Sequence, residues 1–251
     1  MVIHRAGGIA LAAVMVLAAA PATQADEDWP QLKYDSRHSG NVPDRHVAPP
    51  LGLVAAAPLS DAVFTAPAVA GGRVYVIDGS GTAWCFRAAD LEPVWKVETA
   101  GGKANCNNVS SPAVAGGYVH FGTMAGDYYV LDAGTGAVVK RIETGDPIFS
   151  APVVGSGRVY VATLGSRVYA LKPDGTVCWT WDFVRERLDF HKDRWSGSDW
   201  LAVRGRAGWR EQFCCTRSVA LAGETVVVPA GGTICWLRDL GDRAELTAAY
   251  T

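Results

Sequence analysis

The chain has 251 residues, 49% of them hydrophobic, with 23 Lys and Arg against 25 Asp and Glu for a formal charge of -2. That balance excludes a global basic field of the kind that recruits nucleic acid or an anionic membrane, and the apolar content excludes an intrinsically disordered chain. With 28 glycines and 9 tryptophans, there are turns and core material for one large β domain or two average ones.

At the N-terminus, His4 and Arg5 form a short basic head, Ile9 to Ala20 an apolar run, and Ala22-Thr23-Gln24-Ala25 a small-residue exit. This order predicts a secretory signal peptide over residues 1–25, cut after Ala25, and therefore a periplasmic or secreted mature chain. The apolar run is about a dozen residues, short of the roughly 20 that a membrane helix needs, and no later stretch approaches it, so no transmembrane segment is expected. Export would place the six cysteines where disulfides persist, although six cysteines allow about 15 pairings.

From residue 66 onward a repeat dominates. Residues 66–76 read APAVAGGRVYV, 111–121 SPAVAGGYVHF, 151–161 APVVGSGRVYV and 218–228 SVALAGETVVV. Each is followed by a second echo (DGSGTAWCF, MAGDYYVLDAGTG, LGSRVYALKPDG, AGGTICWLRDLG) and a third (VWKVET, VVKRIET, VCWTWDF, ELTAAYT). Every unit thus holds about four short runs rich in Val, Tyr, Trp and Thr, separated by Gly-Gly, Asp-Gly or Gly-Thr-Gly turns, which are strand and hairpin signals. Runs such as Arg73-Val74-Tyr75-Val76-Ile77 are apolar on both faces, as expected of a sheet sandwiched between other sheets. The offsets from Pro67 to Pro112 and from Pro112 to Pro152, 45 and 40 residues, match four-stranded propeller blades. The expected fold is all-β: a β-propeller with about four blades, one domain over residues 26–251.

Blade three runs long before blade four. Pro152 to its counterpart Val219 spans 67 residues, and the excess forms an insertion at 184–214. It carries His191, Trp195, Trp200, Trp209 and Arg210, and with Arg217 the stretch 184–217 has eight Arg or Lys against five acids, a local +3. Aromatics beside arginines suit a recognition surface; the same residues also suit a structured excursion whose tryptophans plug the seam between blades. His191 has no partner at ligand spacing, so no metal site is expected, and no catalytic nucleophile has a supporting context. Asn105, Asn107 and Asn108 before blade two read as turn-forming amides.

Leu131-Asp132-Ala133-Gly134-Thr135-Gly136, with weaker copies ending at Trp95 and Trp179, resembles the blade signature of the pyrroloquinoline-quinone-like propeller repeat family. In that signature a tryptophan on the next strand docks between blades; Lys140 departs from it. Asp28-Trp29-Pro30-Gln31, with Asp35, His38, Ser39 and Gly40, is similar to a lead-in that commonly completes the last blade in this family. Because family members usually close with seven or eight blades, the resemblance implies a partial ring with two uncovered faces. Either this is a fragment of a longer reading frame, or copies associate to complete the ring.

Quinoprotein alcohol dehydrogenases of this superfamily carry adjacent cysteines joined beside the quinone, and Cys214-Cys215 resembles that pair. The likeness implies pyrroloquinoline quinone with calcium as cofactors, but Thr216-Arg217-Ser218 follows the pair where the enzymes have an acidic residue and an Asn-Arg-Gly turn. Neighbouring Cα atoms lie about 3.8 Å apart, below the usual disulfide span, so a vicinal bridge is strained; separate or reduced cysteines are the other reading. The expected function is a non-catalytic scaffold without cofactor that binds a protein partner or other ligand, with a quinone-dependent dehydrogenase as the alternative.

Overall fold

The computed structural model describes residues 28–47, 49–101, 105–206 and 208–251, so the predicted signal peptide lies outside the described residues. Sixteen strands form four antiparallel four-stranded sheets, each ordered as in the sequence. The first holds β1 (Ala68–Ala70), β2 (Arg73–Ile77), β3 (Thr82–Arg87) and β4 (Pro93–Glu98); the second β5 (Ala113–Ala115), β6 (Tyr118–Gly122), β7 (Asp127–Asp132) and β8 (Val138–Glu143). The third holds β9 (Val153–Gly155), β10 (Arg158–Ala162), β11 (Arg167–Leu171) and β12 (Val177–Asp182); the fourth β13 (Ala220–Ala222), β14 (Thr225–Ala230), β15 (Thr233–Asp239) and β16 (Ala244–Tyr250). The short first strands lie at the centre, where β1 contacts β5, β5 contacts β9 and β9 contacts β13. This is four consecutive blades of a β-propeller, and the ring is not closed.

Turn chemistry explains why each repeat becomes a blade. The hairpin between the first two strands needs left-handed backbone at both turn positions to match strand twist, which Gly71-Gly72 (φ 57° and 72°) and Gly116-Gly117 (φ 57° and 85°) supply. In every blade the outer strand carries a bulge at one repeat position, where Val94, Val139, Cys178 and Thr247 are left without a partner in the register. The extra residue bends the outer strand and increases the local twist.

Alternate residues of each blade then face alternate seams. Tyr75, Ile77, Ala83 and Cys85 pack on Val119, Phe121, Tyr129 and Leu131 between blades one and two. Tyr128, Val130 and Ile148 meet Val159, Val161 and Leu171 in the next seam. The tryptophans dock as the family resemblance implies. Trp95 Nε1 donates to Ala133 O at 3.1 Å and Trp179 Nε1 to Asp239 Oδ1 at 2.9 Å, each on the following blade. Gly136 (φ 76°) lets the Trp95 ring approach, since a Cβ there would lie 2.8 Å from it. In the middle seam the Lys140 stem occupies the tryptophan position against Gly175, and in blade four that position is Ala248.

Residues 28–38 add no strand to the four blades described; they cross the centre and bond the same repeat position of all four inner strands. Trp29 pairs with Val69 (2.7 and 2.9 Å), Pro30 O accepts from Val114 N (2.7 Å), the Gln31 amide bonds both backbone groups of Val154 (3.1 and 2.8 Å), and Ser36 O accepts from Leu221 N (2.8 Å). Inner strands would otherwise present a row of unpaired backbone groups, so this segment closes the inner edge across the four blades.

Candidate functional site

The segment leading into each inner strand also builds a site. Three residues before Pro67, Pro112, Pro152 and Val219 stand Phe64, Val109, Phe149 and Thr216, and together they line a hollow of about 750 Å3 at the centre of the arc. Lys33 and His38 of the lead-in and Arg217 of blade four complete its basic side, and among the described residues no carboxylate lines it. Phe64 is 54% exposed, and Lys33 and Arg217 are exposed at the rim. His38 is engaged: Nδ1 lies 3.0 Å from Leu32 O and Nε2 2.8 Å from Val219 O. The lining thus mixes apolar side chains, among them Val63, Phe64 and Phe149, with the hydroxyls of Thr65, Ser111, Thr216 and Ser218, and two of its basic side chains, Lys33 and Arg217, are exposed.

Of the candidate binding and redox residues named in the sequence, Arg217 alone lines this hollow, beside His38 of the lead-in motif. The others belong to the excursion, which leaves blade three at Asp182 and forms three short helices, α1 (Phe183–Glu186), α2 (Gly197–Arg204) and α3 (Trp209–Gln212). Asp182 caps α1 by accepting from Val184 N and Arg185 N, Ser196 caps α2, and Gly205 in left-handed conformation (φ 67°) ends it, the usual chemistry of helix ends. Trp200 is fully buried, stacked on Phe190 at 3.7 Å, with Nε1 donating to Arg194 O at 2.8 Å; it serves the excursion's core. Trp195 is half-buried and donates to Asp146 Oδ1 at 3.1 Å. Trp209 is half-buried against it, with the Arg210 guanidinium 5.1 Å above the Trp209 ring. His191 is exposed and paired with exposed Asp189 at 2.8 Å. Arg194 ties the excursion down, bonding Gly165 O and the Asp182 carboxylate.

Cys214 and Cys215 occupy a regular repeat position. Gly231 N donates to Cys214 O (3.0 Å) and Cys215 N to Leu164 O (3.0 Å), bridging the β14–β15 and β10–β11 turns. Two residues of each lead-in are equivalent to this pair, Pro147-Ile148 in blade three and Ala62-Val63 in blade one; there Leu164 N bonds Pro147 O and Gly79 N bonds Ala62 O in the same way. Both cysteines are free thiols, Cys214 half-buried and Cys215 buried. Burial pushes the Cys215 thiol up to about 12, well away from the reactive thiolate. Neither lines the hollow, whose wall begins at the next residue, Thr216. Asn108, before blade two, is a structural amide: it donates to Gly79 O and Asn105 O and accepts from Met124 N at 2.9 Å. Among the described residues, no three His, Cys, Asp or Glu side chains converge to hold a metal ion, and no helix is long and apolar enough to cross a membrane.

The site residues missed in the sequence are Phe64, Val109, Phe149, Thr216 and Lys33. For the first four, the common distance from the repeated proline, or from Val219 in blade four, was a usable signal that their differing chemistry hid; Lys33 carried no such signal.

The profile of the family described as outer membrane protein assembly factor BamB matches residues 54–244, which is most of the chain. The chain belongs to this family. Among solved structures it is similar to quinohemoprotein alcohol dehydrogenase ADHIIG from Pseudomonas putida HK5, at 17% identity and a TM-score of 0.69, covering 90% of this chain and 41% of that one. Quinohemoprotein alcohol dehydrogenase from Comamonas testosteroni is similar at 20% identity and a TM-score of 0.67, with 89% and 41% covered. BamB from Moraxella catarrhalis is similar at 15% identity and a TM-score of 0.56, with 79% and 54% covered. The chain thus spans about half or less of each structure's length, and these likenesses carry the fold alone. A comparison with curated protein sequences returns no match.

Proposed function

We propose that the chain works as a non-catalytic, exported propeller scaffold that engages a protein partner through the loop face around the central hollow. The observation that supports this most is the lining of the hollow: apolar and hydroxyl side chains with Lys33, His38 and Arg217, and no carboxylate among the described residues. A hydride-transferring site with a quinone and calcium needs carboxylate or amide oxygens for the hard cation and a base placed against the substrate. No carboxylate or amide side chain is among the described residues lining the hollow, so the divalent cation does not fit here, and the one imidazole in the lining, His38, has both ring nitrogens against backbone carbonyls; Lys33 and Arg217 would suit an anionic ligand. The cysteine pair supports the same reading, since it fills the lead-in position that Pro147-Ile148 fills one blade earlier.

The test is dye-linked alcohol oxidation by the purified chain with added pyrroloquinoline quinone and calcium. No quinone-dependent rate is expected. A saturable quinone-dependent rate that is lost when Cys214 and Cys215 are both replaced by serine would overturn the scaffold reading.

A further inference from the structure

One residue of the hollow is unexplained by the repeat that surrounds it. Two residues before Pro67, Pro112 and Pro152 stand Thr65, Ser110 and Ser150. Their hydroxyls bond the end of the second strand in their own blades. Thr65 donates to Ile77 O (2.7 Å), Ser110 accepts from Gly122 N (3.0 Å), and Ser150 both donates to Ala162 O (2.7 Å) and accepts from Ala162 N (3.1 Å). Blade four abandons this bond. Its equivalent is Arg217, exposed, and without a side-chain hydrogen bond or ion pair among the described residues. The neighbouring Ser218 keeps its repeat role, accepting from Ala151 N at 2.9 Å as Ser111 does from Ala66 N. The departure is thus confined to one side chain, and that side chain lines the hollow.

Lys33 reaches the same hollow from the lead-in, also exposed and unpaired among the described residues. The chain carries slightly more acids than bases, so a patch with Lys33, His38 and Arg217 and no acid runs against the average. We propose that this hollow docks an acidic peptide segment of a protein partner, its carboxylates on Arg217 and Lys33 and an apolar side chain between Phe64 and Phe149. The inference rests on the scaffold reading and names the chemistry of the partner. A peptide fits better than a free organic anion because the cationic groups are at an exposed rim and Phe64 is half exposed. A small-molecule site buries most of its ligand among convergent, enclosed polar groups, whereas an exposed aromatic ringed by charge is the pattern of a protein contact.

The experiment is a fluorescence-anisotropy titration of the full chain with a labelled synthetic peptide of alternating Asp and Phe. The same peptide with Lys for Asp, and unlabelled benzene tricarboxylate as competitor, form the other arms. The Asp-Phe peptide binds, more weakly as salt rises, while the Lys-Phe peptide does not and the tricarboxylate competes poorly. Arg217→Ser weakens binding by about tenfold. That variant restores the hydroxyl used in the other three blades, so its thermal melt is unchanged or higher, which separates lost binding from lost folding. Phe64→Ala weakens the peptide while leaving its salt dependence in place. The proposal is overturned if no peptide binds, if Arg217→Ser has no effect, if the Lys-Phe peptide binds equally, or if the tricarboxylate competes as tightly as the peptide. Failure here without quinone-dependent dye reduction leaves the scaffold reading standing; dye reduction removes both.

Discussion

His120 shows how a single side chain can set the pH range of this fold. It sits at the position that Tyr75 holds in blade one and Tyr160 in blade three, where those hydroxyls reach the next blade at Ala133 O (3.2 Å) and Asp239 Oδ2 (2.7 Å). The imidazole is fully buried; Nδ1 meets the Tyr128 hydroxyl at 3.2 Å, and among the described residues Nε2 meets no hydrogen-bond partner. Burial pushes its pKa down to about 4 from an ordinary 6.5, and the neighbouring Pro173 backbone and Asp174 charge offset only part of this. The folded state therefore binds fewer protons than the unfolded state between these values. Its contribution is fully present above pH 6.5 and is lost as pH falls through about 4, on the order of 3 kcal/mol in all. Urea unfolding midpoints measured between pH 7 and pH 4 should fall, and His120→Tyr, which copies the other two blades, should flatten that dependence. An equally steep fall in the variant would assign the pH sensitivity to other groups.

Among the elements, the excursion between β12 and β13 differs in kind from the blades. Its helices have four, eight and four residues, too short to be stable alone, so they depend on the Phe190, Trp200 and Phe213 stack and on the anchors at Arg194 and Trp195. Removing a fully buried tryptophan ring costs roughly 3–5 kcal/mol. Trp200→Ala should open the excursion locally while the blades persist, so that limited trypsin digestion cuts first at Arg204 and Arg206 and leaves the β-sheet circular dichroism intact. Loss of both signals in one step would show that the excursion and blades three and four form a single cooperative unit. The blades themselves were legible in the sequence, because each hairpin demands glycine at fixed offsets and each strand demands alternation. The ring around the hollow was harder to see. Phe64, Val109, Phe149 and Thr216 share a position and not a residue type, because that position faces open space in every blade and packing does not constrain it. The inner-edge bonds of the lead-in were not legible either, because they depend on which backbone amides lie beside it, information that Trp29-Pro30-Gln31 alone does not contain. The tryptophans of the excursion illustrate a further limit, since composition cannot tell an aromatic that makes a core from one that makes a contact.

For the whole molecule, the open ring has a physical consequence. Each interior seam is covered by the next blade, but blade four turns Val227, Trp236, Ile234 and Tyr250 to a side with no following blade, with Ile234 42% and Tyr250 72% exposed. Blade one does the same at the other end with Val74, Val76 and Trp84, where Lys96 lies 5.0 Å over the Trp84 ring. These faces use the same alternating apolar pattern as the buried seams, and soluble monomers rarely leave contiguous apolar patches above a few hundred Å2 uncovered. Burying them gains roughly 25 cal/mol per Å2, so the two ends should find a cover, either further blades or another copy. For the chain by itself, sedimentation velocity should show association that strengthens with concentration. The double substitution Ile234→Lys and Tyr250→Lys places two charges on the blade-four face without touching any interior seam. It should shift the population toward the single protomer and leave the melting temperature within a few degrees of the parent. If the double variant associates as strongly as the parent, the blade-four face is not what holds copies together, and the blade-one face around Trp84 becomes the surface to substitute next.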